Sequence, residues 1–459
     1  MKKIIALILS VVLVFGFAAC GEQPEPAPTP EPTEEAVHTP EITPEPTPEP
    51  TPEPETLEDL AEKMVSLMVK QDFNAVWAYG SSTLRSITDA NALSSMWYSV
   101  VGSLGEFEGI NSNMTITGEY MEYDSAAVFC EFALGGVGVA LLFNAVGELD
   151  SILMNYYTPQ DLYSFTGDGS ATPLFWEVTS PEGGKMYMFG SYHLASPDFY
   201  PLPDEIMSAY NESDALAVEY DTFISSFDVE RLIEMQNAVI YADGSTAASH
   251  LSQTTHELAV GLLTEKGVYS EAFESYKLSQ WNSLILQVAC MELGMDATYG
   301  VDSVLLSLAH QSGKQVLEIE SQTSQLELLN STSDLYNDAS IRATVREYEE
   351  GKEYLVELFE AYASGDLAKL EELLLDDSVD EADLSEYTAE EREAIISEGE
   401  EYDRRMIVER NYAMADKAEE YLESGETVFF VVGLAHMLGE DGLVSLLTEA
   451  GYVVEKVIY

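Results

Sequence analysis

Two Gly-x-x-His stretches, Gly190-Ser191-Tyr192-His193 and Gly433-Leu434-Ala435-His436, each follow directly on an apolar run that reads as a buried strand. A third such run, Ala215 to Val218, is followed by Glu219, and a fourth, Gln315 to Ile319, delivers Glu318 and Glu320. In open α/β sheets, ligands bind beyond the carboxyl ends of the strands. Imidazole and carboxylate are ligand types for a borderline divalent metal. Glycine at a strand exit permits a tight turn, so Gly190 and Gly433 are read as turns that point the histidine three positions on back over the sheet edge. One Gly-x-x-His is a weak signal, and a lone histidine in such a place is commonly a satisfied structural residue. Two copies, in a chain with only 6 histidines, carry more weight.

Other chemistries find less support. Thr255-His256-Glu257-Leu258-Ala259-Val260 begins like a zincin helix, but Val260 stands where the second histidine belongs. There is no Walker loop, no Rossmann glycine fingerprint, no Gly-x-Ser-x-Gly elbow and no Cys-x-x-Cys pair. His256 and His310 are read as helix-surface residues.

The elements that must position these groups follow from the periodicity. The runs Lys185 to Phe189, Ala215 to Val218, Gln315 to Ile319, Val428 to Val432 and Tyr452 to Ile458 are predicted strands, with amphipathic helices such as Leu355 to Leu374 and Arg404 to Leu422 between them. Segments 185–219 and 428–458 look like diverged copies of one strand–GxxH–helix–strand unit. The fold class is therefore α/β, a mixed sheet with large helical insertions, over residues 170–459. Residues 57–163 read as a separate small α+β domain, a helical start followed by strand-like runs such as Ala126 to Phe129 and Val139 to Phe143. That order resembles cystatin-like or nuclear-transport-factor-like modules and implies a binding or spacer role. Cys130 and Cys290 fall one in each domain and are read as buried small hydrophobes, not a disulfide.

The segment from about Trp176 to Tyr459 resembles the TraB/GumN family, which includes the Tiki membrane-anchored metalloproteases. The resemblance rests on Gly190–His193, Glu219 and Gly433–His436, on Tyr299-Gly300-Val301-Asp302, on Glu318-Ile319-Glu320, and on Glu409-Arg410-Asn411 followed by Met414-Ala415. It implies a divalent transition metal (manganese, cobalt or zinc) bound by His193, Glu219 and His436 and activating a water. Glu320 is then a further ligand or the general base. Arg410 either holds a substrate carboxylate or oxyanion, or forms a structural ion pair. Asp302 either serves the site or caps a helix beginning at Ser303. The activity implied is that of a peptidase-like metal-dependent hydrolase. The alternative is a non-catalytic surface binder of peptides, as in pheromone shutdown, and a third reading is a structural envelope protein.

The amino-terminal residues address this chemistry to a place. Lys2 and Lys3 precede an apolar run from Ile4 to Ala19, the pattern of a secretory signal, and about 16 residues is short for a spanning helix. The run ends in Phe17-Ala18-Ala19-Cys20-Gly21, which resembles a lipobox, so residues 1–19 are expected to be removed and Cys20 lipidated. Ordinary cleavage beside Ala19 is the alternative, because Phe17 replaces the usual Leu. Residues 20–56 are rich in Pro, Glu and Thr and too poor in apolar side chains to bury a core, so a disordered spacer reaching about 100 Å is expected. With 82 acidic against 20 basic side chains and a net charge of −62, the chain repels nucleic acid. The expected setting is the outer side of the cell membrane, lipid-anchored, with extracellular peptides or envelope proteins as substrates.

Overall fold

The computed structural model describes residues 56–160, 163–375 and 384–459. The apolar run, Cys20 and the Pro-rich stretch lie outside the described residues. Among those described, no helix is long and apolar enough to cross a membrane.

The first sheet is an antiparallel meander of β1 (Phe107–Ile110), β2 (Ile116–Tyr120), β3 (Tyr123–Phe132), β4 (Gly135–Phe143) and β5 (Leu149–Tyr157), ordered β1-β3-β4-β5 with β2 also on β3. Helix Leu57–Val69, started by a Thr56–Asp59 capping box, lays Met64, Val65 and Met68 over one face. Val128, Cys130, Val139 and Leu141 project into that same core, as alternation along a strand requires. The sheet's other face carries a second apolar cluster, Ala127, Phe129, Ala140 and Tyr157, which takes in Phe223 and Phe227 from the larger unit.

The second sheet has six strands: β6 (Phe175–Thr179), β7 (Lys185–Ser191), β8 (Ala215–Val218), β9 (Gln315–Glu318), β10 (Val428–Gly433) and β11 (Val453–Lys456), in the order β11-β6-β7-β10-β8-β9. Strands β7, β10, β8 and β9 are parallel neighbours, while β6 is antiparallel to both β7 and β11. Every residue of β8 and β10 is buried, which explains why these strands read as unbroken apolar runs: helices cover both faces. The mixed α/β fold with helical insertions is as expected. β6 was missed because Phe175-Trp176-Glu177-Val178-Thr179 is short and interrupted by Glu177.

Two helix expectations need correction. The run Leu355 to Leu374 is not one helix: Tyr348–Ser364 ends at Gly365, whose φ of 61° forms a left-handed cap, and a new helix spans Leu367–Leu374. The run from Arg404 is not a helix start. Helix Ala389–Asp403 runs on through a π-helical segment, Arg404–Glu409, into helix Arg410–Ser424. A π-segment inside an α-helix shifts the side-chain register and is often found at functional sites. Both cysteines are free and buried, as expected.

Candidate functional site

The parallel strands bring their carboxyl ends into line. In the ladder Val431 of β10 pairs with Phe189 of β7 and Val218 of β8, and Val218 pairs with Glu318 of β9. Glu219, His193, His436 and Glu320 therefore leave the same edge within a few residues of their strands. A methyl group built on Gly433 would stand 3.3 Å from Glu219 Oε1, 3.5 Å from His193 Nε2 and 3.6 Å from His436 Cδ2, so these three side chains converge on one point. They lie in one site.

The glycines work differently from the expected turn. Gly433 has φ −50° and ψ 138°, a conformation open to any residue, and Gly190 is not among the positive-φ glycines. What each supplies is the missing Cβ. A Cβ on Gly190 would meet Leu434 Cδ1 at 2.6 Å, so its absence lets β7 and the turn after β10 pack closely.

Both imidazoles are held by Nδ1 and leave Nε2 free. His436 Nδ1 donates to Asn411 Oδ1 at 2.6 Å, and Asn411 Nδ2 donates in turn to the Asp441 carbonyl, which fixes the amide's orientation. His193 Nδ1 lies 3.0 Å from Asp302 Oδ1. Asp302 sits in the first turn of helix Val301–Ser312, whose cap is Gly300, so it orients His193 and does not cap a helix at Ser303. Both Nε2 atoms are buried without a hydrogen-bond partner. Buried polar atoms are nearly always satisfied, so these two orphans at one point, with Asp302 Oδ1 and Gln325 Oε1 also lacking a hydrogen-bond partner, are informative.

Glu219 is 7% exposed and fully engaged. Its Oε1 accepts from the Gly433 amide at 2.8 Å, and Oε2 accepts from Arg410 Nη2 at 2.5 Å and Gln325 Nε2 at 2.9 Å. Arg410 also grips Glu320 through Nε (3.0 Å) and Nη2 (2.8 Å), and Gln325 bonds Glu320 as well. Arg410 is thus ion-paired with both Glu219 and Glu320. Just after the π-segment, neighbouring Arg410 and Asn411 both reach the site, one to Glu219 and the other to His436.

The charges of these groups follow from their partners. Burial disfavours the charged form of His193, but the Asp302 and Glu219 carboxylates outweigh it and raise its pKa to about 9. Burial acts in the same sense on His436, where Arg410 reinforces it, and the pKa falls to about 3. Burial raises Glu219, yet Arg410, the two histidines and the Gly433 amide more than offset it, holding the carboxyl at about 2.

A cavity of about 30 Å³ is lined by Ser191, His193, Glu219, Thr222, Asp302 and Gln325 and leaves His436 outside its lining. That is room for an ion or a water, not for a peptide. Two buried Nε2 atoms with their Nδ1 atoms tied back, beside a carboxylate, are a donor set that suits a borderline divalent cation. Among the described residues, however, no three His, Cys, Asp or Glu side chains already stand as a metal-ligand group. His436 Nε2 is 3.9 Å from Glu219 Oε1, and Arg410 and Gln325 hold the other carboxylate oxygen.

A model of the TraB/PrgY/gumN family matches residues 174–456. The chain belongs to the TraB/PrgY/gumN family. Within this family member the matched region spans all six strands of the second sheet and every site residue named above. The chain is 28% identical over 155 residues to the uncharacterized protein YbaP of Escherichia coli strain K12, covering 33% of this chain and 54% of that protein, and matches YbaP of Shigella flexneri to the same degree. It thus spans about half the length of the curated relatives it matches. No solved structure matches it.

Sequence reasoning missed Gln325 and gave Asn411 no role. Asn411 was detectable as the neighbour of Arg410 in the Glu-Arg-Asn run, whereas Gln325 sits in no motif. His256 and His310 are not open helix-surface residues. His256 bonds Glu274 at 2.8 Å, and His310 Nε2 lies 2.6 Å from buried Asp221 and stacks on Phe223.

Proposed function

We propose that this family member is a membrane-tethered, extracytoplasmic hydrolase of peptide bonds that works with a divalent transition cation. One observation carries the reading: the two buried, unpartnered Nε2 atoms of His193 and His436 converging on Glu219. These three side chains would hold the cation, which when bound supplies a Lewis acid and a water ionised near neutral pH. The chain's own residues do the rest. Asp302 and Asn411 engage the two Nδ1 atoms, which leaves both Nε2 atoms unpartnered. His193 releases its Nε2 proton on loading, a change its neighbouring carboxylates oppose, so uptake falls in acid. Arg410 keeps Glu219 ionised and holds both Glu219 and Glu320 in place. The small cavity admits no peptide, so the substrate chain lies across its mouth.

The tether follows from Cys20 and the Pro-rich spacer that begins there, which would hold the site outside the cell on a stalk of about 100 Å. Manganese, cobalt and zinc are the candidate cations.

A second reading, a non-catalytic peptide binder, is favoured by one feature: Arg410 already neutralises the carboxylates without a metal. Metal content of the full chain, measured beside cleavage of an unbiased peptide library, separates the two. The hydrolase is expected to carry stoichiometric metal and to lose both metal and cleavage in His193→Ala and His436→Ala. Metal-free protein that binds peptides equally well in both variants would overturn it.

A further inference from the structure

We propose that the small amino-terminal domain is a clamp on the strand end that carries Glu219, with Phe223 and Phe227 as its positioning residues. This rests on the reading of Glu219 as part of the functional site. Three residues beyond Glu219, a short helix, Thr222–Ser225, leads into Ser226 and Phe227, and this loop leaves the larger unit to dock on the small sheet. Phe227 is 3% exposed and meets Phe129 edge-on with ring centres 4.7 Å apart. Its ring occupies the space over Gly138, where a Cβ would stand 2.3 Å from Phe227 Cε1, so no larger residue fits opposite it. Asn155 Nδ2 of β5 donates to the Ser226 carbonyl at 2.6 Å and pins the same loop from the neighbouring strand.

The contacts continue inward. Phe223 stacks on Phe129 at 5.6 Å on one side and on His310 at 4.9 Å on the other. His310 Nε2 reaches Asp221 Oδ2 at 2.6 Å, and Asp221 is two residues from Glu219. Helix Val301–Ser312 is tied to the end of the small domain as well, because Gln311 and Ser307 both donate to the Thr158 carbonyl. That helix carries Asp302, the partner of His193. The small domain thus grips the two elements that set Glu219 and His193, which a plain spacer has no reason to do.

The test compares Phe227→Ala with Val128→Ala in the full chain. Val128 lies in the core on the sheet's opposite face, so its loss weakens the small domain without touching the loop. Two quantities are read: exchange of the Gly433 amide, which donates to Glu219 Oε1, and affinity for Zn²⁺ alone. Phe227→Ala is expected to speed Gly433 exchange and weaken Zn²⁺ binding by about tenfold each, with Val128→Ala leaving both near wild type. Unchanged Gly433 exchange in Phe227→Ala, or equal acceleration in Val128→Ala, overturns the clamp. Phe227→Leu and Gly138→Ala, which perturb the same contact from its two sides, serve if Phe227→Ala does not fold. A wild-type chain that binds no Zn²⁺ defeats the metal reading, while the exchange measurement still decides the clamp.

Discussion

His193 and His436 leave neighbouring parallel strands at matching positions, yet their surroundings push them to opposite charge states. At His193 the Asp302 and Glu219 carboxylates outweigh burial, while burial and the Arg410 charge act together on His436, so one imidazole keeps a proton that its neighbour cannot take. Arg410 decides the rest of the balance. Buried charges persist only when paired, and removing one partner leaves the other desolvated and uncompensated. Arg410→Met strands Glu219 and Glu320 together and is expected to destabilise the chain by about 3–5 kcal/mol in urea unfolding. A loss under about 1 kcal/mol would mean that the carboxylates find other partners or take up protons cheaply.

At the scale of elements, two devices build the site: strand ends brought into register, and the start of helix Arg410–Ser424, which supplies two adjacent residues to it. The glycines at the strand ends divide the labour. A methyl on Gly433 stands among the Glu219, His193 and His436 side chains, whereas one on Gly190 collides with Leu434. Gly433→Ala is therefore expected to cut Zn²⁺ affinity at least about tenfold with a small change in melting temperature. Gly190→Ala is expected to cost about 1–3 kcal/mol of stability through overpacking. Calorimetric titration beside thermal unfolding of both variants checks this, and the reverse pattern would show that Gly433 serves packing alone.

For the molecule as a whole, these shifts set how stability depends on pH. His193 is raised from 6.5 to about 9, so its contribution is complete below pH 6.5 and lost as pH rises through 9. His436 is lowered to about 3, so its contribution is present above pH 6.5 and lost as pH falls through 3. Glu219, lowered from 4.5 to about 2, adds to the loss in acid below pH 4.5. With EDTA present, melting temperature is expected to peak near pH 6.5 and fall on both sides. A flat profile from pH 5 to 9 would contradict the buried charge assignments.

The sequence by itself determined the α/β class, the family and the four polar strand ends, because each is written in local periodicity and in motifs a few residues long. His193, Glu219, His436 and Glu320 were legible for that reason, and so were Arg410 and Asp302 as candidates. Their roles were not. That Arg410 holds Glu219, that Asp302 orients His193, and that Gln325 joins them depends on partners about 90 to 190 positions apart in the chain. The glycines were found by spacing but explained wrongly, since what they leave out matters only where β7 meets the turn after β10. The contact of the small domain with the loop after Glu219 was invisible as well: Phe227 and Gly138 carry no motif, and only the packing of that loop on the first sheet joins them.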